Sequence, residues 1–346
     1  MKQKLLIFTD TYAEQVNGAK VTLEELARNI DKKDIEIIIV SADNFHSIPF
    51  PTYSEVRFAL VTPRKISKII KEEKPDMIHI VTEGTVGFAA ARACQKLDIP
   101  YTSAFHTKFP EYISLRMPFV EEKYIHKGLR YIHDAASKII VSSASMKEYL
   151  ISNKYAFKKI KIIPFWVDHI LFSPGEKTLF QNLQKPILLF VGRVAIEKNI
   201  SDFLELETAG TKIVVWDWPL RESLEKEFKE VQFLGYKTRE ELWDIYRSAD
   251  VFVFPSLTDT LGLVNIEALA SGLPVLAYDV EWPNSIITSG KDGILIPYGK
   301  SLTSGLVHVL DIRPESCQEK ANLYTWKKYT TLFLRSQKHI SRKIWI

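Results

Sequence analysis

Two carboxylates and the start of a helix mark residues 254–274 as a place where the chain could do chemistry. Asp259 lies in a polar loop after a short apolar strand, and Glu267 lies eight positions later, on the second turn of a predicted helix. The amides at a helix start have no partners within the helix and carry the positive end of its dipole, so they suit a phosphate. The residues that supply them here are Gly262, Leu263 and Val264. An ordinary strand-loop-helix unit with capping carboxylates is the alternative interpretation.

A second polar loop carries two cations. Arg193 and Lys198 follow Gly192, after the predicted strand 186–191 and just before a helix. Two cations together with helix amides can stabilise a diphosphate leaving group without a metal. Solvent-exposed charges that bind no ligand are the alternative interpretation, but a basic pair at the carboxyl edge of a sheet favours binding of an anion.

Two further candidates lie in the first half of the chain. Gly18, preceded by Asn17, ends the first strand-to-helix turn and lets the backbone approach a phosphate or sugar closely, although a plain tight turn would look the same. His106 follows the predicted strand 101–105. A lone histidine is more often structural, but the carboxyl end of a strand is where α/β sheets bind ligands.

The elements that must position these residues alternate between strand and helix along the whole chain. Such alternation predicts an α/β fold with parallel, doubly wound sheets. A polar connection at residues 175–185, rich in charge and flanked by proline and glycine, has the composition of a domain linker. We therefore predict a first domain over residues 1–175 and a second over 176–312, with a C-terminal helical region over 313–346.

Composition excludes several classes of protein. Hydrophobic residues make up 46% and charged residues 25%, a normal globular balance, and the net charge of +4 is too small and dispersed to indicate nucleic-acid binding. Cys94 and Cys317 are too few for a metal cluster and are expected to be buried free thiols. No signal-peptide core or long apolar run is present, so we expect a cytoplasmic protein that could rest on the inner face of the plasma membrane.

These motifs resemble those of glycosyltransferase family 4. The two acids resemble its acidic-x7-acidic motif, residues 192–198 resemble its G-R-x-x-x-E-K segment, and residues 106–112 resemble the H-T-x-F-P-x-Y run of its mannosyl-, sulfoquinovosyl- and galactosyl-transferring branch. The resemblance covers about residues 4–310. It implies the GT-B fold, in which two Rossmann-like domains face a cleft and the C-terminal helix packs back on the first domain.

The resemblance also implies an activity and a role for each residue. The expected enzyme is a retaining hexosyltransferase that moves a hexose, mannose foremost, from a GDP- or UDP-sugar to a lipid or cell-envelope glycan, with no metal or other cofactor. Glu267 would hold the ribose, while His106 and Asp259 would touch the sugar. The diphosphate would be bound by residues of both domains: Gly18, Gly192, Arg193, Lys198, Gly262, Leu263 and Val264. A non-catalytic sugar-nucleotide binding protein and another GT-B enzyme, such as an epimerase, remain alternatives.

Four tryptophans depart from this family pattern. Trp166, Trp216, Trp218 and Trp282 stand in loops where members of the family usually have glycine. A tryptophan buries on the order of 200 Å² and cannot replace glycine where backbone and ligand approach closely. Either these side chains fill the donor cleft, or they come from UGA codons that the natural host reads as glycine. The low glycine count, 14 of 346 residues or about 4% against a usual value near 7%, fits the second hypothesis.

Overall fold

The computed structural model describes residues 2–345 apart from 12–17, 51–52, 107, 117–118, 165, 193–197, 216–220 and 258–261. The chain divides into two compact units. The first consists of Met1–Pro164 and Lys327–Ile346, and the second of Phe165–Trp326. Each unit is a parallel sheet covered by helices.

The first unit is built on a six-stranded parallel sheet in the order β2-β1-β5-β6-β7-β8. A two-stranded antiparallel hairpin, β3 with β4, stands beside it. The strands are β1 (Gln3–Phe8), β2 (Ile35–Val40), β3 (Ser47–Phe50), β4 (Tyr53–Ala59), β5 (Met77–Ile80), β6 (Thr102–Phe105), β7 (Lys138–Val141) and β8 (Ile160–Ile162). The central strands are apolar along most of their length because helices cover both faces of the sheet.

Helices of the first unit connect these strands. They are α1 (Gly18–Asn29), α2 (Pro63–Glu73), α3 (Thr85–Lys96), α4 (Phe109–Arg116), α5 (Glu122–His133) and α6 (Ala144–Ser152). Thr62 caps the start of α2 and Ser143 caps the start of α6, each with its side chain accepting a first-turn amide. Asp10 caps α3 from a distance, because its carboxylate accepts the amides of Val86 at 2.7 Å and Gly87 at 3.2 Å.

The second unit repeats the design with the strand order β11-β10-β9-β12-β13-β14, again all parallel. Its strands are β9 (Ile187–Val191), β10 (Thr211–Val215), β11 (Gln232–Phe233), β12 (Val251–Phe254), β13 (Val275–Tyr278) and β14 (Gly293–Ile296). Its helices are α7 (Ile200–Leu204), α8 (Arg221–Glu227), α9 (Arg239–Ser248), α10 (Leu263–Ala270), α11 (Glu281–Ile286), α12 (Thr303–Leu310) and α13 (Pro314–Ala321). The predicted fold class, two doubly wound α/β halves, is confirmed.

The C-terminal region does not stay together as one element. Cys317 and Ala321 of α13 are buried in the core of the second unit, so the second unit extends past residue 312. The last helix, α14 (Trp326–Ser336), crosses the boundary, and its buried Phe333 packs edge-on against His79 in the first unit, with ring centroids 5.0 Å apart. The compact units therefore divide the chain at 164 and 326, rather than at the predicted 175 and 312.

Both cysteines are free and buried, as expected. No helix in the described ranges is both long enough and apolar enough to cross a lipid bilayer.

Candidate active site

In the second sheet, the strand order reverses beside β9, whose neighbours are β10 on one side and β12 on the other. The loops that leave β9 and β12 therefore open at a topological switch point, where α/β sheets bind ligands in the crevice at the carboxyl ends of strands. Lys198 of the predicted basic pair lies in the loop after β9, and Glu267 of the predicted acidic pair lies on α10, the helix that follows the loop after β12. The fold thus brings together segments that lie about sixty residues apart in the chain.

Helix α10 follows β12 and presents its N-terminus at this edge. Gly262 is its N-cap residue, with φ −19° and ψ 45°, and a glycine has no side chain with which to cap the helix. The amides of Leu263 and Val264 accordingly have no acceptor within the helix. Gly272, with φ +79°, ends the helix, and the amide of Leu273 donates to the Ala268 carbonyl at 2.9 Å. The helix start is therefore the polar end of an otherwise buried element.

Glu267 lies one turn further along α10 and is nearly buried, with 12% of its side chain exposed. The Tyr246 hydroxyl donates to its Oε2 at 3.3 Å, and Nη2 of Arg239 lies 3.9 Å from its Oε1. Burial raises the pKa of Glu267, while Arg239 and the Tyr246 hydrogen bond act in the opposite direction. This carboxylate is thus held in position and keeps acceptor capacity for a donated hydroxyl.

Arg239 and Tyr246 were missed by the sequence reasoning. Both belong to α9, which is not attached to the loops at the switch point and reaches Glu267 only through packing. Aromatic rings hold the Arg239 guanidinium from the other side, at 5.4 Å from the Phe172 ring centroid and 5.8 Å from that of Trp166. The helical spacing of apolar residues in α9 is visible in the sequence. That spacing does not indicate that Arg239 and Tyr246 contact Glu267.

Lys198 lies at the end of the loop after β9 and is half-buried. The next residue, Asn199, is in the left-handed conformation with φ +49° and ψ 42°. Its side-chain amide donates to the Pro255 carbonyl at 3.3 Å and to Asp202 at 2.7 Å. Asp202 in turn accepts the Tyr278 hydroxyl at 2.5 Å. Asn199 therefore ties the loop of Lys198 to the end of β12, next to the acidic segment.

Trp282 also lies at this edge of the sheet, in the first turn of α11 after β13. It is 5% exposed, and its Nε1 lies 1.9 Å from where a Cβ on Gly262 would stand. The indole is therefore against the N-cap residue of α10. Asn265, in the first turn of the same helix, is fully buried, and neither of its side-chain polar atoms has a hydrogen-bond partner in the described part of the chain.

Some predicted site residues lie elsewhere. Asp259 and Arg193 are outside the described residues, as are Trp216 and Trp218. Gly192 directly follows β9, and its amide donates to the Val215 carbonyl at 3.2 Å. Gly18 and His106 belong to the first unit, where Gly18 begins α1.

His106 directly follows β6 and lines a small pocket with His79 and Tyr329. Burial lowers its pKa to about 4, and the nearby His133 adds to the effect. A histidine with so low a pKa is neutral at physiological pH, so it can accept or donate a hydrogen bond without carrying charge.

The second unit therefore offers a helix start with glycine as its N-cap residue, a buried carboxylate and a lysine at one switch-point crevice. Such donors can stabilise negative charge on phosphate oxygens, and the carboxylate can accept from a hydroxyl. Over the residues with described positions, no three or more His, Cys, Asp or Glu side chains are grouped in a way that could hold a metal ion.

Two family models match the chain. The model described as Glycosyltransferase Family 4 matches residues 16–170, and the one described as Glycosyl transferases group 1 matches residues 176–322. The two matches adjoin almost without a gap.

Three curated relatives align along most of the chain. A sulfoquinovosyl transferase of Arabidopsis thaliana is 29% identical, over 95% of this chain and 72% of its own. A GDP-mannose-dependent alpha-mannosyltransferase of Mycobacterium tuberculosis is 25% identical, over 86% of this chain and 84% of its own. An alpha-monoglucosyldiacylglycerol synthase of Streptococcus pneumoniae is 26% identical, over 89% of this chain and 78% of its own.

Among solved structures, the Anabaena protein HepE in complex with UDP superposes with a TM-score of 0.75 at 15% identity, covering 96% of this chain and 99% of that one. This likeness shows the GT-B fold. The two family models and the fold agree, and the chain belongs to glycosyltransferase family 4 and is a glycosyltransferase.

Proposed function

We propose that this protein is a retaining hexosyltransferase that moves a hexose, mannose foremost, from a nucleotide-diphosphate sugar to a lipid or cell-envelope glycan. The observation that carries the proposal is the pairing of the buried Glu267 with the start of α10, whose N-cap residue is Gly262, at the switch point. One group can accept the ribose hydroxyls and the other can donate to the diphosphate. Relatives named for GDP-mannose and for a glucosyl diacylglycerol support the choice of donor and acceptor classes.

In this proposal the enzyme acts mainly on the leaving group. As the bond from sugar to diphosphate breaks, negative charge grows on the phosphate oxygens. The α10 amides and Lys198, together with Arg193, stabilise that charge. Asp259 and His106 contact the transferred sugar, with the neutral His106 acting as a hydrogen-bonding group. No metal or other cofactor is required for these steps.

The proposal is tested by incubating the purified chain with GDP-mannose, UDP-glucose and UDP-galactose, each with and without diacylglycerol, monoglycosyl diacylglycerol or a mannosyl lipid. We expect release of GDP or UDP together with a glycosylated product of retained anomeric configuration. The same assay is run on a form with glycine at positions 166, 216, 218 and 282. If both forms bind a sugar nucleotide but neither hydrolyses nor transfers it, the hexosyltransferase proposal is wrong.

A non-catalytic sugar-nucleotide binding protein is the second candidate. The position of Trp282 against Gly262 favours the absence of catalysis, because an indole at the helix start would keep a bound diphosphate from the amides that stabilise its charge as the sugar leaves. Binding without turnover by the chain with all four tryptophans would support this candidate, and turnover would exclude it.

We propose that the protein binds an anionic membrane surface with α5 and takes its acceptor from that membrane. Tyr124, Lys127 and Tyr131 form an exposed stripe on this helix, with 62% of Tyr124 and 40% of Tyr131 accessible to solvent. Aromatic and basic side chains on one helix face suit the boundary of an anionic bilayer. The exposed lysines of α2 add positive charge to the same unit. Co-sedimentation of the protein with neutral and with anionic vesicles tests this proposal, and we expect more protein to pellet with the anionic vesicles. Equal pelleting with neutral and anionic vesicles would indicate a solvated helix face instead.

A further inference from the structure

We propose that residue 282 controls access to the phosphate-binding start of α10: as tryptophan it closes the site, and as glycine it opens the site to a nucleoside diphosphate. This inference rests on the proposed function, since it concerns the same donor site. Residue 282 lies in the segment after β13, apart from the segments after β9 and β12 that supply the other donor-site residues of the second unit.

The first step is geometric. The strands β12 and β13 are parallel neighbours, so their carboxyl ends lie side by side, and the segments that follow them meet there. Trp282 comes from the segment after β13, and Gly262 from the segment after β12. The indole Nε1 lies 1.9 Å and Cδ1 lies 2.8 Å from the place of a Cβ on Gly262. The five-membered ring of Trp282 therefore occupies the side of Gly262 that any other residue would fill with its own side chain.

The second step concerns what the indole covers. An anion bound to the first-turn amides of a helix lies just beyond the N-cap residue. The N-cap residue here is Gly262, which has no side chain of its own to occupy the capping position. Trp282 is 5% exposed and its indole lies against this N-cap residue, so we infer that the ring occupies space that a phosphate at the first-turn amides would need.

A buried side chain without hydrogen-bond partners independently points to a ligand site at the helix start. Asn265 is fully buried, yet its Oδ1 and Nδ2 have no hydrogen-bond partner in the described part of the chain. Its Nδ2 lies 2.6 Å from the same Cβ position on Gly262, so it points to the helix start. A buried amide without partners is destabilising, and a ligand with acceptor oxygens would satisfy its Nδ2 donor. A diphosphate supplies such oxygens.

The test is isothermal titration calorimetry, in which UDP or GDP is titrated into the full chain and into two variants. Inorganic pyrophosphate serves as the competitor. Trp282→Gly is expected to bind UDP or GDP at least tenfold more tightly than the unaltered chain, a gain of about 1.4 kcal/mol. Trp282→Phe is the matched control, because it keeps an aromatic ring at the helix start, and it is expected to bind no better than the unaltered chain. Pyrophosphate should compete only in the glycine variant.

A second pair of variants tests the role of Asn265. In the Trp282→Gly background, Asn265→Leu is expected to lose the gained affinity. In the unaltered background, the same substitution should keep or raise the thermal midpoint, because it removes buried polar atoms that have no partners.

The outcomes separate this inference from the proposed function. If the unaltered chain and both variants bind equally tightly, residue 282 does not control access, and the donor site stands as proposed. If no form binds UDP or GDP, the donor site itself is refuted. If neither Trp282→Gly nor Trp282→Ala folds by circular dichroism, the indole is an indispensable core residue, and the inference is overturned.

Discussion

The hydroxyl of Tyr246 lies 3.3 Å from Oε2 of Glu267, and this contact joins α9 to the helix that begins at the switch point. Tyr246 is fully buried, so its hydroxyl cannot exchange this acceptor for water. A carboxylate with one buried donor and one guanidinium nearby is oriented but not saturated, since it has about four acceptor positions. This is the arrangement that a hydroxyl-binding carboxylate needs.

The first prediction concerns this carboxylate. In the Trp282→Gly background, Glu267→Gln should weaken binding of UDP or GDP by about tenfold or more, because hydrogen bonds to a charged group contribute about 1.5–3 kcal/mol. Tyr246→Phe keeps the charge and removes only the orienting donor, so it should weaken binding by a smaller factor. Titration calorimetry measures both. Equal affinity of Glu267→Gln and its parent would show that this carboxylate does not contact the nucleotide.

The second prediction concerns the link between the two loops. Asn199→Ala and Asn199→Gly both remove the bond to Pro255, so both should raise the KM for the sugar nucleotide. In the left-handed conformation of residue 199, alanine also lowers the stability of the fold by about 1–2 kcal/mol, whereas glycine adopts this conformation without strain. We therefore expect a lower thermal midpoint for the alanine variant than for the glycine variant, with similar KM values. If KM instead follows the thermal midpoint, Asn199 acts on stability alone.

The third prediction is a dependence of stability on pH. Burial lowers the pKa of His79 from 6.5 to about 3, with His106 adding to the effect. Between these values the unfolded chain binds a proton that the folded chain does not. Stability therefore falls as the pH drops below about 6.5, by about 1.4 kcal/mol for each unit.

Urea unfolding at pH 7, 6 and 5 measures this effect. His79→Gln should unfold with a shallower pH dependence than the unaltered chain, because glutamine does not titrate and can still hydrogen-bond Thr102, which lies 2.8 Å from Nδ1 of His79. His46→Gln is the matched control, since His46 is exposed. Identical slopes for His79→Gln and the unaltered chain would contradict the prediction.

The fourth prediction concerns Trp166. Its ring centroid lies 3.2 Å from that of Trp326 with the planes tilted by 31°, whereas aromatic pairs prefer about 4.5–7 Å. Its Nε1 is buried without a hydrogen-bond partner in the described part of the chain. Trp166→Gly should therefore lower the free energy of unfolding by less than the about 3–5 kcal/mol usual for loss of a buried tryptophan, because relief of the close ring contact offsets part of the loss.

Trp243 provides the matched comparison. Its Nε1 donates to the Ser173 carbonyl at 2.9 Å, and the Arg247 guanidinium lies 4.0 Å from its ring centroid. Trp243→Gly should therefore lower the free energy of unfolding. A loss of about 3–5 kcal/mol or more in Trp166→Gly would mean that the Trp166 indole packs without strain.

The fifth prediction concerns the gene. If positions 166, 216, 218 and 282 are UGA codons that the natural host reads as glycine, then peptides from that host carry glycine at all four. DNA sequencing and peptide mass spectrometry decide this directly. UGG codons at all four positions would refute the hypothesis, while leaving the effect of residue 282 on the donor site open to the titrations.

Much of the architecture was predictable from local sequence patterns. The short apolar strands and the helices after them are periodic patterns that each segment displays alone, which is why the parallel α/β class and most helices were predicted from the chain. The hairpin of β3 and β4 was not predicted, because Pro49 and the serines around it gave no clear alternation. The end of the second unit lies further along the chain than the predicted residue 312. Cys317 and Ala321 are buried against α10, and this burial depends on packing rather than on linker composition.

The sequence by itself determined the family motifs and the segments from which the donor site is built, because strand, loop and helix starts are local features. Only the tertiary structure decided the neighbours of those segments. It brought Arg239 and Tyr246 of α9 to Glu267, and it placed Trp282 against Gly262, twenty positions away. The physical reason is that sheet order and helix packing decide which strand ends share an edge, and no pattern within a single segment records that order.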